Sequence, residues 1–163
     1  FRRVLFRSEM SNVSCIIPGV TGSTGMETAE VIKKAAEIVK PDVVIVIDSL
    51  AARDIDRVST TIQLTDTGIQ PGSGMGNHRA GINEENIGVP VLAIGVPTVI
   101  DIKTILRDAL EENLDSAEAV EKYLSDYDRQ MIVTSTDIDI LVKDFSDIIA
   151  DGINKTLHPG IYS

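Results

Sequence analysis

The chain has one cysteine, Cys15, and two histidines, His78 and His158. A lone thiol cannot staple a fold from within, so the reducing cytoplasm is the expected compartment. The three residues share no ligand spacing such as Cys-x-x-Cys or His-x-x-x-His, so no metal or other cofactor is expected. Long apolar runs are missing as well. The longest, Val43 to Ile47, is strand-sized against the ~20 residues that cross a bilayer, so no membrane contact is expected. Basic residues are scarce: 15 Lys and Arg stand against 25 Asp and Glu, a formal charge of −10. Three of those cations are arginines in the first eight residues, which leaves the rest still more acidic. Such a field repels phosphate backbones, which argues against direct nucleic-acid binding and favours basic or neutral partners.

What is present suits a globular α/β protein. The 163 residues are 43% hydrophobic, enough to bury roughly 68–70% of the unfolded chain's surface in a self-supporting core. Phe1 to Ser8 has no continuous apolar region and no small-residue cleavage site, so it reads as a non-native scar or disordered end rather than a leader. Residues 9–163 read as a single domain. Short β-branched runs alternate with glycine loops and helical periods. Val13 to Ile17 predicts a strand, and a helix is expected from about Met26 to Lys40 with Ala29, Ile32, Ala36 and Val39 on its buried stripe. Asp42 to Ile47 predicts a central strand covered on both faces, and Val58 to Thr65 an edge strand. Val89 to Val96 predicts a third buried strand, with Pro97 and Thr98 opening a helix to about Glu112. Asp115 to Asp128 reads as an acidic surface helix or a partly ordered insert. A last helix carries Ile138, Leu141, Val142, Phe145, Ile148, Ile149, Ile153 and Leu157 at helical spacing.

Chemistry is sparse. No Gly-x-Ser-x-Gly elbow, P-loop or dinucleotide fingerprint occurs. The Gly19, Gly22, Gly25 loop enters a helix, where free N–H groups hold an anion; the same glycines equally serve a sharp strand-to-helix turn. Asp48 stands out on physics. A carboxylate after five apolar strand residues sits at a carboxyl edge, partly desolvated, with a raised pKa suited to acid–base work. Its plain alternative is an ion pair with Arg53 or a turn cap. Asp66 and Asp101 are candidates for a second carboxylate, each equally explained as a loop or cap residue. The stretch Asp66 to Gly81 contains five glycines and is too long for a simple connection, which marks it as functional or mobile.

Several blocks resemble the germination protease family of spore-forming bacteria: Pro18-Gly-Val-Thr-Gly-Ser-Thr-Gly-Met-Glu-Thr28, Lys40 to Arg53, Ser59-Thr-Thr-Ile-Gln63, Asp66 to Asn77, Ile94 to Asp101 and Ala150 to Pro159. The resemblance implies an endopeptidase that degrades small acid-soluble spore proteins at germination. It also implies a zymogen that forms homotetramers, acts in the spore cytoplasm and is related in fold to the hydrogenase maturation proteases. Asp48 corresponds to one of the family's two catalytic aspartates. The second belongs to a segment upstream of Val13, so proteolysis by this chain alone is not expected. Gln70 stands where histidine is expected before Pro-Gly-Ser-Gly.

The expectation is therefore an α/β three-layer sandwich with a mostly parallel central sheet, phosphorylase/hydrolase-like, and an exposed sheet edge. Asp48 is the catalytic residue. Gly22, Thr24, Gly25, Asp66, Gly72, Ser73 and Asn77 are candidates for substrate and oxyanion loops. A metal-assisted maturation-type peptidase with Asp48 as an oxygen ligand, and a catalytically incomplete assembly subunit, are the alternatives.

Overall fold

A computed structural model of the chain describes residues 11–19, 21–73, 79–111, 117–126 and 131–162. They fall into two compact units, the larger within Pro18–Ile138. It opens with a one-turn helix α1 (Thr21–Thr24) and the helix α2 (Thr28–Val39), which buries Ala29, Ile32 and Ala36 at helical spacing. The α2 helix stops because Lys40 turns left-handed at φ 52°, its N–H capping the Ala36 carbonyl at 2.8 Å, and because Pro41 cannot continue it. Then follow β1 (Val44–Ala52), a 3-10 turn (Ile55–Arg57) and β2 (Gln63–Thr65). After a bridge between Ile69 and Ile82 come α3 (Glu84–Ile87) and β3 (Val91–Asp101). The unit closes with α4 (Ile102–Glu111), α5 (Ala117–Ser125) and β4 (Ile132–Thr134).

The sheet is built around β3. Along one edge β1 runs parallel, from Val44 opposite Val91 to Ala52 opposite Ile100. A strand has only two edges, so β2 and β4 share the other. Both are antiparallel, β2 opposite Ala93 to Gly95 and β4 opposite Val99 to Asp101. Pro97 falls in the gap between them and has no N–H to offer; its carbonyl accepts the Ser59 N–H at 2.6 Å. On the β1 side the register slips between Leu50 and Ala51, and such irregularities are where proline survives inside a sheet. The slip leaves Thr98 without a partner residue on β1, and its buried hydroxyl hydrogen-bonds that of Ser49. Its carbonyl accepts the Thr134 hydroxyl at 2.7 Å. The main core joins Ala29, Ile32 and Ala36 of α2 to Val46, Val91 and Ala93 of the sheet, with Ile82 and Ile87 closing its side.

The α/β class holds, while the sheet is mixed rather than mostly parallel, with one parallel pairing and two antiparallel ones. The central strand is β3, and β1 lies at the end of the sheet. Continued pairing with β3 carries β1 on to Ala52, so Asp48 is its fifth residue and not its end. The same pairing carries β3 through Pro97 and Thr98, and its helix begins at Ile102 instead, behind the Asp101 carboxylate that accepts the Lys103 N–H at 2.7 Å. Only Gln63 to Thr65 of the expected edge strand finds ladder partners, and β4 was not anticipated.

In the smaller unit, Val13 to Ile17 forms no strand: among the described residues no ladder partner faces it, and Ile17 is 92% exposed. The N–H of Ser11 bonds to the Leu157 carbonyl at 3.0 Å. The helix α6 (Ile138–Leu157), about 30 Å long, has the expected apolar spacing and no buried residue, and α7 (Pro159–Tyr162) follows it. Ion pairs Lys143–Asp147 at 3.1 Å and Lys155–Asp151 at 2.7 Å run along its surface at i,i+4 spacing.

Candidate active site

Residues paired across a ladder share a face, as do residues two apart along a strand. Asp48, Gly95 and Gln63 therefore form one rung across three strands, and Val46, Ala93 and Thr65 form the rung beneath it. The lower rung carries α2, whose second residue, Ala29, belongs to the same core cluster as Val46 and Ala93. Gly95 has no side chain, so a trough about 10 Å wide, two strand spacings, separates the Asp48 backbone from that of Gln63. A Cβ on Gly95 would overlap Leu50 Cδ1: Leu50, on the same face as Asp48, leans across β3 where the side chain is missing. The resulting cavity measures about 260 Å³ and also meets Thr65, Ile69, Gln70 and Ser73.

Asp48 remains solvent-exposed as a residue, yet the protein around its carboxyl removes enough water to push its pKa above the ordinary carboxylate range. A 2.8 Å bond from the Ser49 N–H to Oδ1 pulls the other way and is the weaker influence. Among the described residues Asp48 makes no ion pair, with Arg53 or any other cation. Nor do three or more His, Cys, Asp or Glu side chains among those residues gather closely enough to hold a metal ion.

The loop that borders the trough is held at its base. The Gln70 amide donates to the Arg79 carbonyl at 3.4 Å, below which Ile69 and Ile82 exchange backbone bonds of 2.9 and 2.8 Å. Arg79 Nη1 lies 3.6 Å from Glu27 Oε2, the residue that precedes α2. The other Glu27 oxygen, Oε1, is buried without a hydrogen-bond partner among the described residues. The loop stem, the start of α2 and the trough are thereby joined.

Of the residues singled out from sequence, Ser73 lines this cavity, Asp48 shares a rung with the lining residues Gly95 and Gln63 without lining it itself, and Gly72 precedes Ser73 in the turn whose Ser73 N–H reaches the Gln70 carbonyl at 3.2 Å. Asn77 lies outside the described residues. Gly22 and Thr24 fall within α1, a helical turn rather than an open loop. The Gly25 N–H is taken by the Thr21 carbonyl at 2.8 Å and the Met26 N–H by Thr24 Oγ1 at 3.2 Å, so neither amide is left to hold an oxyanion. Asp66 lies one residue beyond β2, which runs away from the Asp48 rung; the separation is about 10 Å along the sheet and about 10 Å across it. Asp101 is a helix cap. Sequence reasoning missed Gln63, Leu50 and Gly95. A glycine inside an otherwise bulky buried strand is the signal that pointed to them, because it marks a close approach.

The family model described as "Germination protease" matches residues 6–116. The germination protease of Caldanaerobacter subterraneus subsp. tengcongensis is 45% identical over 96% of this chain and 55% of its own length. That of Clostridium perfringens strain SM101 is 44% identical over 91% of this chain and 53% of its length, and that of Halalkalibacterium halodurans is 34% identical over 91% and 55%. The chain thus spans about half the length of these curated relatives. With a family model over two thirds of its residues and relatives matched along nearly all of it, the chain belongs to the germination protease family.

Proposed function

We propose that this chain carries a catalytic carboxylate, Asp48, of an endopeptidase that begins the degradation of small acid-soluble spore proteins during germination. One observation carries the reading: a desolvated carboxylate, without a cation partner among the described residues, stands on the rung whose other two members, Gly95 and Gln63, line a cavity. In the ionised form Asp48 takes a proton from a water that attacks the peptide carbonyl, and the protonated form returns it to the departing amine nitrogen. A pKa raised above the ordinary carboxylate range favours both halves of that exchange over an unperturbed aspartate. Ser73 and Gly72, at the turn beside the trough, stay in the proposed substrate wall.

The architecture we propose for the whole protein is the three-layer sandwich of the hydrogenase maturation proteases; the parallel β1–β3 pair with α2 on one face supports it. The whole protein is further proposed to work as a homo-oligomer in the spore core. Among the described residues no helix is long and apolar enough to cross a membrane, and the acidic balance disfavours nucleic acid as a partner.

The test completes this chain with the part of the Caldanaerobacter relative that it does not cover and follows cleavage of a purified small acid-soluble spore protein. Asp48→Asn is expected to lower kcat by roughly 10²–10⁴-fold, the range for loss of a positioned acid–base group, with folding verified by circular dichroism. An Asp48→Asn protein that cleaves at the unsubstituted rate overturns the assignment.

A further inference from the structure

The cavity beside Asp48 has a chemistry of its own. Its side-chain lining is Leu50, Leu64, Ile69 and Ala93 among apolar residues and Gln63, Thr65, Gln70 and Ser73 among polar ones, with the bare backbone of Gly68 and Gly95. Among the described residues no charged side chain lines it, in a chain whose net charge is −10 and in which one residue in four is charged. At about 260 Å³ it is below the roughly 300–1,000 Å³ of pockets that take drug-sized ligands and cofactors, and fits a single residue of a peptide. Leu50 sets its depth. Because Gly95 lets Leu50 lie across β3, the leucine caps one end of the trough, and Gln63 stands at the opposite wall on the Asp48 rung.

We infer that this trough is a specificity subsite: it receives one uncharged aliphatic side chain of the substrate next to the bond presented to Asp48. The inference rests on the protease reading and deepens it. An ionised side chain entering there would lose water with no opposite charge to meet it, a loss that an aliphatic side chain does not suffer. A leucine-sized group meets Leu50, Ile69 and Ala93, while the Gln63 carboxamide is placed to bond the peptide group that carries it. Gln63 and Leu50 are then specificity-determining residues.

The experiment reads binding directly, so its failure and that of the protease reading are distinguishable. Backbone amide shifts of this chain are followed by NMR during titration with N-acetyl-leucine, N-acetyl-phenylalanine, N-acetyl-lysine and N-acetyl-glutamate methylamides. The leucine probe is expected to move the amides of Gln63, Ser73 and Gly95 with a millimolar dissociation constant, and the two charged probes at least about tenfold more weakly. Gln63→Glu, at an exposed edge-strand position that folding tolerates, is expected to weaken the leucine probe about tenfold. Leu50→Ala is expected to reverse the preference from leucine to phenylalanine. Equal binding of charged and aliphatic probes, shifts confined to other residues, or an unchanged leucine affinity in folded Gln63→Glu would overturn the subsite. A subsite that behaves as expected in a protein whose Asp48→Asn variant still cleaves would sink the catalytic assignment alone.

Discussion

The protein packed around Asp48 takes water from its carboxyl, and no cation among the described residues compensates. The folded-state pKa is raised above the ordinary 3.8 of an aspartate, so the native protein holds more protons than the unfolded chain just above that value. Stability must then fall as pH rises through the raised pKa, and the penalty is fully present above it. Asp48→Asn removes the ionisation. The variant is expected to melt at a higher temperature than the parent at pH 7, and the difference should shrink away toward about pH 3, where both states of the parent are mostly protonated. Thermal melts at intervals between pH 3 and 8 measure it. A stability gain that grows as the solution is acidified contradicts the burial argument. Asp48 was legible in the sequence because five apolar residues before a carboxylate mark a strand. The trough it faces was not, because which residue sits across a ladder depends on a register that no local pattern encodes.

Glycine and left-handed positions decide how the elements join. Gly68 adopts φ +84°, and a Cβ there would overlap the Ile82 carbonyl oxygen, part of the bridge that closes the loop stem. Gly68→Ala combines left-handed strain with a collision against backbone, and is expected to destabilise by roughly 2–4 kcal/mol. Chemical denaturation checks the size, and hydrogen exchange should show faster Ile69 and Ile82 amides. Lys40 presents the opposite case: a lysine in the left-handed cap of α2, exposed and at φ 52°. Lys40→Gly relieves strain of about 1–2 kcal/mol against a smaller entropic penalty for glycine, for an expected gain of about 0.5–1 kcal/mol in the denaturation midpoint analysis. A loss of stability in Lys40→Gly would show that the cap is unstrained. At this scale the sequence read well where the periodicity is long, as in α2 and α6. It read poorly at Val13 to Ile17, at Val58 to Ile62 and at Ile132 to Thr134, where short β-branched runs become a strand or not according to whether a neighbour offers hydrogen bonds.

For the whole molecule, composition alone sets the sign of one measurable effect. Three facts bear on it: the net charge is −10, few cations are available to balance it, and of the five ion pairs seen among the described residues all but the half-buried Arg79–Glu27 lie at the surface. Raising ionic strength from about 0.01 to 0.15 M shortens the screening length from about 30 to 8 Å. Both the self-repulsion of unmatched acids and the attraction within surface pairs then weaken. Exposed i,i+3 and i,i+4 pairs contribute only about 0.3–0.5 kcal/mol each, and their 2.7–3.1 Å separations lie well inside either screening length. Repulsion among acids spread over the surface acts at distances that the shorter length cuts off. Salt should therefore stabilise: the melting temperature in sodium chloride is expected to rise steadily over that range and to rise less in a variant with several surface acids changed to their amides. A fall in the parent would mean that the paired charges outweigh the unmatched ones, and that the acidic excess is held apart rather than crowded on the folded surface.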